Sequence, residues 1–295
     1  MAAGKHIGKV IIKIFDEKEL LEKKPVLAQP RYYCDSNKTY LILGGLGGFG
    51  LELADWLIIR GAKNVVLTSR TGIKNGYQHM KLDRWKSYGV NVLIISGADA
   101  SNRKDCEFIL NSAEKQGSVD AIFNLAVVLK DSICKNQTPE SFEESFKAKA
   151  RTTKMLDELS RSLCPKLQHF VVFSSVSCGR GNAGQTNYGM GNSIMERICE
   201  RRVADGLPGL AIQWGAIGEV GLVADWQDNN KELVIGGTLQ QRISSCLEKL
   251  EHFLLQNCPI VSSMVVAEKR VGAYGAANVV EAVANILGKI ILELF

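Results

Sequence analysis

From Thr39 onward, short apolar runs alternate with stretches of helical length, and this alternation constrains the fold more than any other feature of the chain. The runs are TYLIL (39–43), NVVLT (64–68), NVLIIS (91–96), VDAIFNLA (119–126), HFVVFSS (169–175), GLAIQW (209–214) and IVSSMVV (260–266). They are apolar at consecutive positions, as strands buried on both faces are. Between them, 48–60, 102–116, 139–163 and 185–205 have helical length and amphipathic spacing. Parallel strands joined by helices need right-handed crossovers, which lay helices on both sides of the sheet. The expected fold is α/β: a Rossmann-type, doubly wound parallel sheet with helices on both faces.

The first strand runs into Gly44-Gly45-Leu46-Gly47-Gly48-Phe49-Gly50, which opens the segment LELADWLIIRG. Two glycine spacings fit: G-x-G-x-x-G through Gly45, Gly47 and Gly50, or G-x-x-x-G-x-G through Gly44, Gly48 and Gly50. Without Cβ atoms the turn can close and the backbone can approach a pyrophosphate, while the helix N-terminus supplies N–H groups and partial positive charge. A glycine loop between strand and helix is the context this mechanism needs. NAD-binding folds place an acid about 20 residues further on, to hold the ribose hydroxyls. Here the second strand ends in Ser69-Arg70 with no acid. A guanidinium pairs with a phosphate that a carboxylate would repel, so the expected cofactor is NADPH. By position, Asp99 and Ala100 after the third strand border the adenine, and Asn124 and Ala126 after the fourth border the ribose.

The fifth run ends at Ser175; Tyr188 follows 13 residues later, and Asn192 four after that, on the same helix face. Reducing a ketone by hydride needs a proton donor at the carbonyl oxygen and a group to hold that oxygen. A phenol, with an ordinary pKa near 10, needs a nearby cation to make its anion accessible. Tyr188 suits the acid role, Ser175 the hydrogen bond and a lysine the electrostatic role. The simple Y-x-x-x-K pattern fails, because Asn192 stands where the lysine would be.

These residues resemble the ketoreductases of modular fatty acid and polyketide synthases, in which asparagine and lysine exchange places. Lys149-Ala150-Arg151-Thr152-Thr153-Lys154-Met155-Leu156 is similar to the family's K-x-x-G-x-x-x-L, with Thr152 in place of glycine. The resemblance implies Lys149 as the catalytic lysine, 26 residues before Ser175, with Lys147 and Lys154 as competitors. FVVFSSVSCGRGNAGQTNYGMGN, GLPGLAIQWGAIGEVG and YLILGGLGGFGLELADWLI resemble the β-ketoacyl reductase region of animal-type fatty acid synthases in particular. That implies reduction of a carrier-bound 3-oxoacyl thioester, with an acyl carrier domain bearing a phosphopantetheine arm and other synthase domains as partners, in a homodimeric full-length protein. It also implies three segments: residues 1–37 as the end of an enoyl reductase plus linker, 38–270 as the ketoreductase, and 271–295 as a linker and the first helix of a carrier domain. Leu129-Lys130-Asp131 resembles the L-x-D element of enzymes that form the (3R) alcohol. Residues 216–240 are expected to form a substrate lid.

Composition narrows the alternatives. The net charge of +5 suits an anionic cofactor or carrier, and no basic stripe with interleaved aromatics points to nucleic acid. Eight scattered cysteines with no C-x-x-C pair, and four well-separated histidines, give no metal spacing; reduced, buried thiols of a cytoplasmic protein are expected. No run of about 18 apolar residues could span a membrane. Arg197, Arg201 and Arg202 are expected beyond the catalytic helix as a weak carrier-facing cluster. Two other readings stay open: an inactive, truncated scaffold fragment of a synthase, and a polyketide synthase ketoreductase.

Overall fold

Every residue of β1 (Thr39–Leu43) is buried, as a strand at the centre of a two-faced sheet must be. Its side chains alternate between two cores. Tyr40 and Ile42 join one apolar cluster, Leu41 and Leu43 the other. The computed structural model describes residues 30–218 and 237–267. Along the chain follow α1 (Gly48–Ile59), β2 (Asn64–Ser69), α2 (Gly76–Ser87), β3 (Asn91–Ser96), α3 (Arg103–Gln116) and β4 (Val119–Asn124). After a short 3-10 turn come α4 (Pro139–Phe146), a π turn (Lys147–Arg151), α5 (Thr152–Leu163), β5 (His169–Ser175), α6 (Ser177–Arg180), α7 (Thr186–Ala204) and β6 (Leu210–Trp214). The last elements are β7 (Thr238–Leu239), α8 (Ile243–Leu254), β8 (Ile260–Ser263) and β9 (Val265–Val266).

Seven strands form one sheet in the order β3-β2-β1-β4-β5-β6-β8, and every pairing in it is parallel. Helices α1, α2 and α8 cover one face through Leu53, Leu57, Trp85, Cys246 and Leu250. Helices α3, α5 and α7 cover the other through Ile109, Leu110, Leu156, Met195 and Cys199. The expected doubly wound Rossmann-type fold is the observed one. Strand order reverses between β1 and β4, and the crevice beyond the carboxyl ends of strands at such a switch point is where open α/β sheets bind ligands.

Several local expectations need correction. The run 260–266 is broken at Met264: β8 joins the main sheet, while β9 pairs antiparallel with β7. The expected helix 139–163 is interrupted by the π turn. Tyr32, expected in a linker, is buried in the core, where it stacks on Trp56 at 5.8 Å between ring centroids. Cys134 and Cys258 are exposed, because they lie in the 3-10 turn and in the loop after α8. Helix α2 went unread because it lacks an apolar stripe; its buried side chains are Gln78, Lys81 and Trp85. The arginine cluster lies within α7, and Arg202 is buried: its guanidinium donates to Asp157 Oδ1 at 2.7 Å and to the Pro208 carbonyl at 2.7 Å. Most of the expected enoyl-reductase remnant (1–37) and the whole of the expected carrier-domain segment (271–295) lie outside the described residues, as does most of the expected lid. The described feet of that loop are pinned together, with Gln241 N–H donating to Ala216 O at 2.8 Å and Gly218 N–H to Gln241 O at 3.0 Å.

Candidate active site

The turn after β1 folds tightly because its glycines leave no side chain in the way. Gly44 has φ +76°, the left-handed region that glycine enters without strain. Its carbonyl accepts from Gly47 N–H at 3.0 Å, and a Cβ on Gly50 would sit 2.5 Å from that same oxygen. Helix α1 then opens at Gly47 with no side-chain cap and no acid in its first turn. The partial positive charge of the helix end is therefore left for a ligand.

A cavity of about 320 Å³ begins at this loop and runs along the carboxyl ends of the central strands. Gly44, Gly47, Gly48, Phe49 and Gly50 line its near end; Lys149, Ser175 and Tyr188 line it further on, with Leu129, Asn182, Gln185 and Trp214. A cradle of glycines at a bare helix N-terminus, opening into this cavity, fits a dinucleotide. Gly45 and Leu46 seat the loop on the core: Leu46 is buried, and a Cβ on Gly45 would strike Leu67 at 2.7 Å. Gln78 braces the loop from α2 by donating to the Leu46 carbonyl at 2.9 Å.

Tyr188 and Asn192 share one face of α7. Asn192 is fully buried and donates from Nδ2 to the Tyr188 carbonyl at 3.0 Å, while its Oδ1 has no hydrogen-bond partner. The Tyr188 phenol is governed first by burial, which raises its pKa; the side chains of Asn192 and Ser175 pull the other way. Ser175 sits at the end of β5, paired in register with Trp214 of β6, and its Oγ accepts from Ser177 N–H at 3.2 Å.

The geometry separates the three candidate lysines. Lys147 is half exposed and ion-paired to Asp99 at 2.7 Å, and Lys154 is exposed beside Glu158. Lys149 is 2% exposed, with Nζ donating to the Phe173 carbonyl at 2.6 Å and lying 5.4 Å from the Tyr188 ring centroid. Burial lowers its pKa to about 7. The π turn carries this lysine, and such turns widen a helix locally and recur at functional sites. Thr152, in the place of the resembled family's glycine, donates from Oγ1 to the Lys147 carbonyl at 2.9 Å and so satisfies a group of that turn.

The remaining expected cofactor residues divide. Ser69 and exposed Arg70 close β2. Asn124 Nδ2 donates to Thr153 Oγ1 at 3.0 Å and its Oδ1 accepts from Ala126 N–H at 3.1 Å, so the side chain shapes the loop after β4. Burial favours the acid form of Asp99, but Lys147 and Ser101 outweigh it and hold the pKa below the usual range. That carboxylate is already engaged with protein groups, and Ala100 packs against the α3–α5 core. Sequence reasoning missed Gln185, which lies three residues before Tyr188. It donates to Asp131 Oδ2 at 2.8 Å and accepts from Asn182 Nδ2 at 3.0 Å. Trp214 was also missed as a wall of the cavity, although its run was read as a strand.

Comparison with known proteins agrees with this geometry. Residues 38–219 match the KR domain family model. Among curated relatives, highly reducing polyketide synthase 40 of Fusarium mangiferae is 34% identical over 79% of this chain and 9% of its own length. Squalestatin hexaketide synthase of Phoma sp. is 31% identical over 77% of this chain and 9% of its own. The chain thus spans about a tenth of these relatives. Among solved structures, the first ketoreductase of the tylosin PKS has a TM-score of 0.69 at 29% identity, covering 78% of this chain and 49% of that one. An A1-type ketoreductase reaches 0.75 at 25% identity, over 90% and 56%. Among the described residues, no helix is long and apolar enough to cross a membrane. The fold, the matched family model and the relatives converge: this chain belongs to the KR domain family, ketoreductases of the short-chain dehydrogenase type.

Proposed function

We propose that the domain reduces a carrier-bound 3-oxoacyl thioester to the 3-hydroxyacyl thioester with NADPH. The observation that carries this reading is the buried Lys149 side chain beside Tyr188, in a cavity that opens from a glycine loop. When bound, NADPH supplies the hydride to C3. Tyr188 donates its phenolic proton to the ketone oxygen, and Ser175 donates a hydrogen bond to the same atom. Lys149 stabilises the resulting phenolate. Asn192 Oδ1, buried without a partner, is an acceptor for the lysine or for a water that returns the proton. Arg70 and Ser69, at the end of β2, support the choice of NADPH over NADH.

The relatives favour a polyketide-type synthase as the parent assembly. An animal-type fatty acid synthase is the second reading, supported by the likeness of the strand–helix segments around Gly44, Ser175 and Trp214. Both place the same reduction in this domain, both supply the substrate on a phosphopantetheine arm, and both provide neighbouring synthase domains as partners. Formation of the (3R) alcohol is supported by Leu129 on the cavity wall and by Asp131, which orients Gln185 beside Tyr188. The test is NADPH oxidation by the chain with a pantetheine-linked 3-oxoacyl substrate, followed by chiral analysis of the product. NADPH-specific turnover to the (3R) alcohol supports the reading. Binding of NADPH without turnover would favour the inactive-scaffold alternative.

A further inference from the structure

Glu196 lies four residues beyond Asn192 and eight beyond Tyr188, on the same stripe of α7. Only 4% of it is exposed. Its Oε1 accepts three hydrogen bonds: from Ser174 Oγ at 2.6 Å, Cys178 Sγ at 2.8 Å and Gln213 Nε2 at 2.9 Å. The donors belong to three elements, β5, α6 and β6. Among the described residues no ion pair involves Glu196, so these dipoles compensate its burial. Cys178 is suited to this, since burial, with Glu196 beside it, pushes its thiol up to about 11 and keeps the S–H donor in place.

This placement ties together the pieces that must be aligned for reduction. Ser174 adjoins Ser175, and Cys178 Sγ also lies 2.9 Å from the Ser175 carbonyl. Gln213 adjoins Trp214, whose carbonyl accepts from Val176 N–H at 3.1 Å. The carboxylate therefore fastens the turn bearing Ser175 to the helix bearing Tyr188, without touching the cavity. We propose that Glu196 is a positioning residue for the reduction, fixing Ser175 against Tyr188 through the donors of Ser174, Cys178 and Gln213. The inference rests on the ketoreductase reading.

The test compares the full chain with Glu196→Ala and Glu196→Gln, alone and in a Ser175→Ala background. Glu196→Ala is expected to lower kcat by about tenfold or more, with KM and the NADPH Kd within about threefold. Glu196→Gln, which keeps an acceptor but not the charge, is expected to recover part of the loss. In the Ser175→Ala background, the further loss should shrink to about twofold or less, because the effect runs through Ser175. A second readout does not depend on turnover: fluorotyrosine at position 188, titrated by 19F NMR, should show a higher pKa in Glu196→Ala and an intermediate one in Glu196→Gln. Unchanged kcat in folded Glu196→Ala, or an undiminished loss in the Ser175→Ala background, would overturn the proposal. If Glu196→Ala does not fold, Glu196→Gln takes its place in both measurements. A wild-type chain without turnover would count against the ketoreductase reading; an unmoved Tyr188 titration would still count against Glu196.

Discussion

Lys149 Nζ donates to the carbonyl oxygen of Phe173 at 2.6 Å, two residues before Ser175 on β5. The catalytic lysine candidate is thereby anchored to the same strand that carries the serine, with its Nζ over the Tyr188 ring at 5.4 Å from the centroid. An ammonium held this way has little water around it, and burial brings its pKa down to about 7.

That depression fixes a pH dependence. An unfolded lysine titrates near 10.4, so between about pH 7 and pH 10 the unfolded chain binds the extra proton. Folding stability then rises with pH across the window, by up to about 1.4 kcal/mol per pH unit. Below pH 7 both states are protonated and the cost of burying the charge is constant. Urea unfolding of the wild type and Lys149→Met at pH 7, 8 and 9 should show the wild type gaining on the variant as pH rises. Parallel trends would mean that Lys149 is charged throughout.

Gly50→Ala should disable the cofactor loop. The new methyl would lie 2.5 Å from the Gly44 carbonyl and 2.8 Å from Gly45 Cα, and backbone cannot move aside cheaply. The expected result is an NADPH Kd raised about tenfold or more, by calorimetry or fluorescence. Gly76→Ala, with nothing within 4 Å of the added methyl, serves as the neutral control.

Arg70→Ser tests cofactor choice. Loss of a charge-assisted bond to the 2′-phosphate is worth about 1.5–3 kcal/mol, a fall in kcat/KM for NADPH of roughly 10- to 150-fold. The value for NADH should move little. Equal losses with both cofactors would remove Arg70 from the phosphate site.

Arg202 and Arg201 are neighbours with different fates. Arg202→Ala removes the buried partner of Asp157, which keeps its ion pair with Arg161, and should cost about 1.5–3 kcal/mol of stability. Arg201 is exposed beside Asp205, and Arg201→Ala should stay within about 0.5 kcal/mol. Denaturant midpoints read both; similar small effects would show Arg202 to be surface after all.

The five central apolar runs and the glycine loop were legible because central strands are buried on both faces and a tight turn excludes side chains. Tyr188 and Ser175 were legible through their spacing and Lys149 through the resemblance to synthase ketoreductases, and the structure brings all three to one cavity. Other parts were hidden for physical reasons. Asn124 and Asp99 stand where a ligand would be met, but each is occupied by a neighbour distant in sequence, Thr153 and Lys147 respectively. Helix α8 carried a readable stripe, Ile243, Cys246, Leu250 and Leu254, masked by its place after the presumed lid. Glu196 looked like any charge on an amphipathic helix; only the fold reveals the three donors that converge on it.

The role of Tyr188 as proton donor is decided by NADPH oxidation with a 3-oxoacyl thioester by the wild-type chain and by Tyr188→Phe, alongside the NADPH Kd of each. The expected result is turnover in the wild type, a loss of about 10²-fold or more in Tyr188→Phe, and unchanged cofactor binding. Comparable turnover in the two proteins would contradict Tyr188 as the proton donor, and with it the reading of this cavity as the site of reduction.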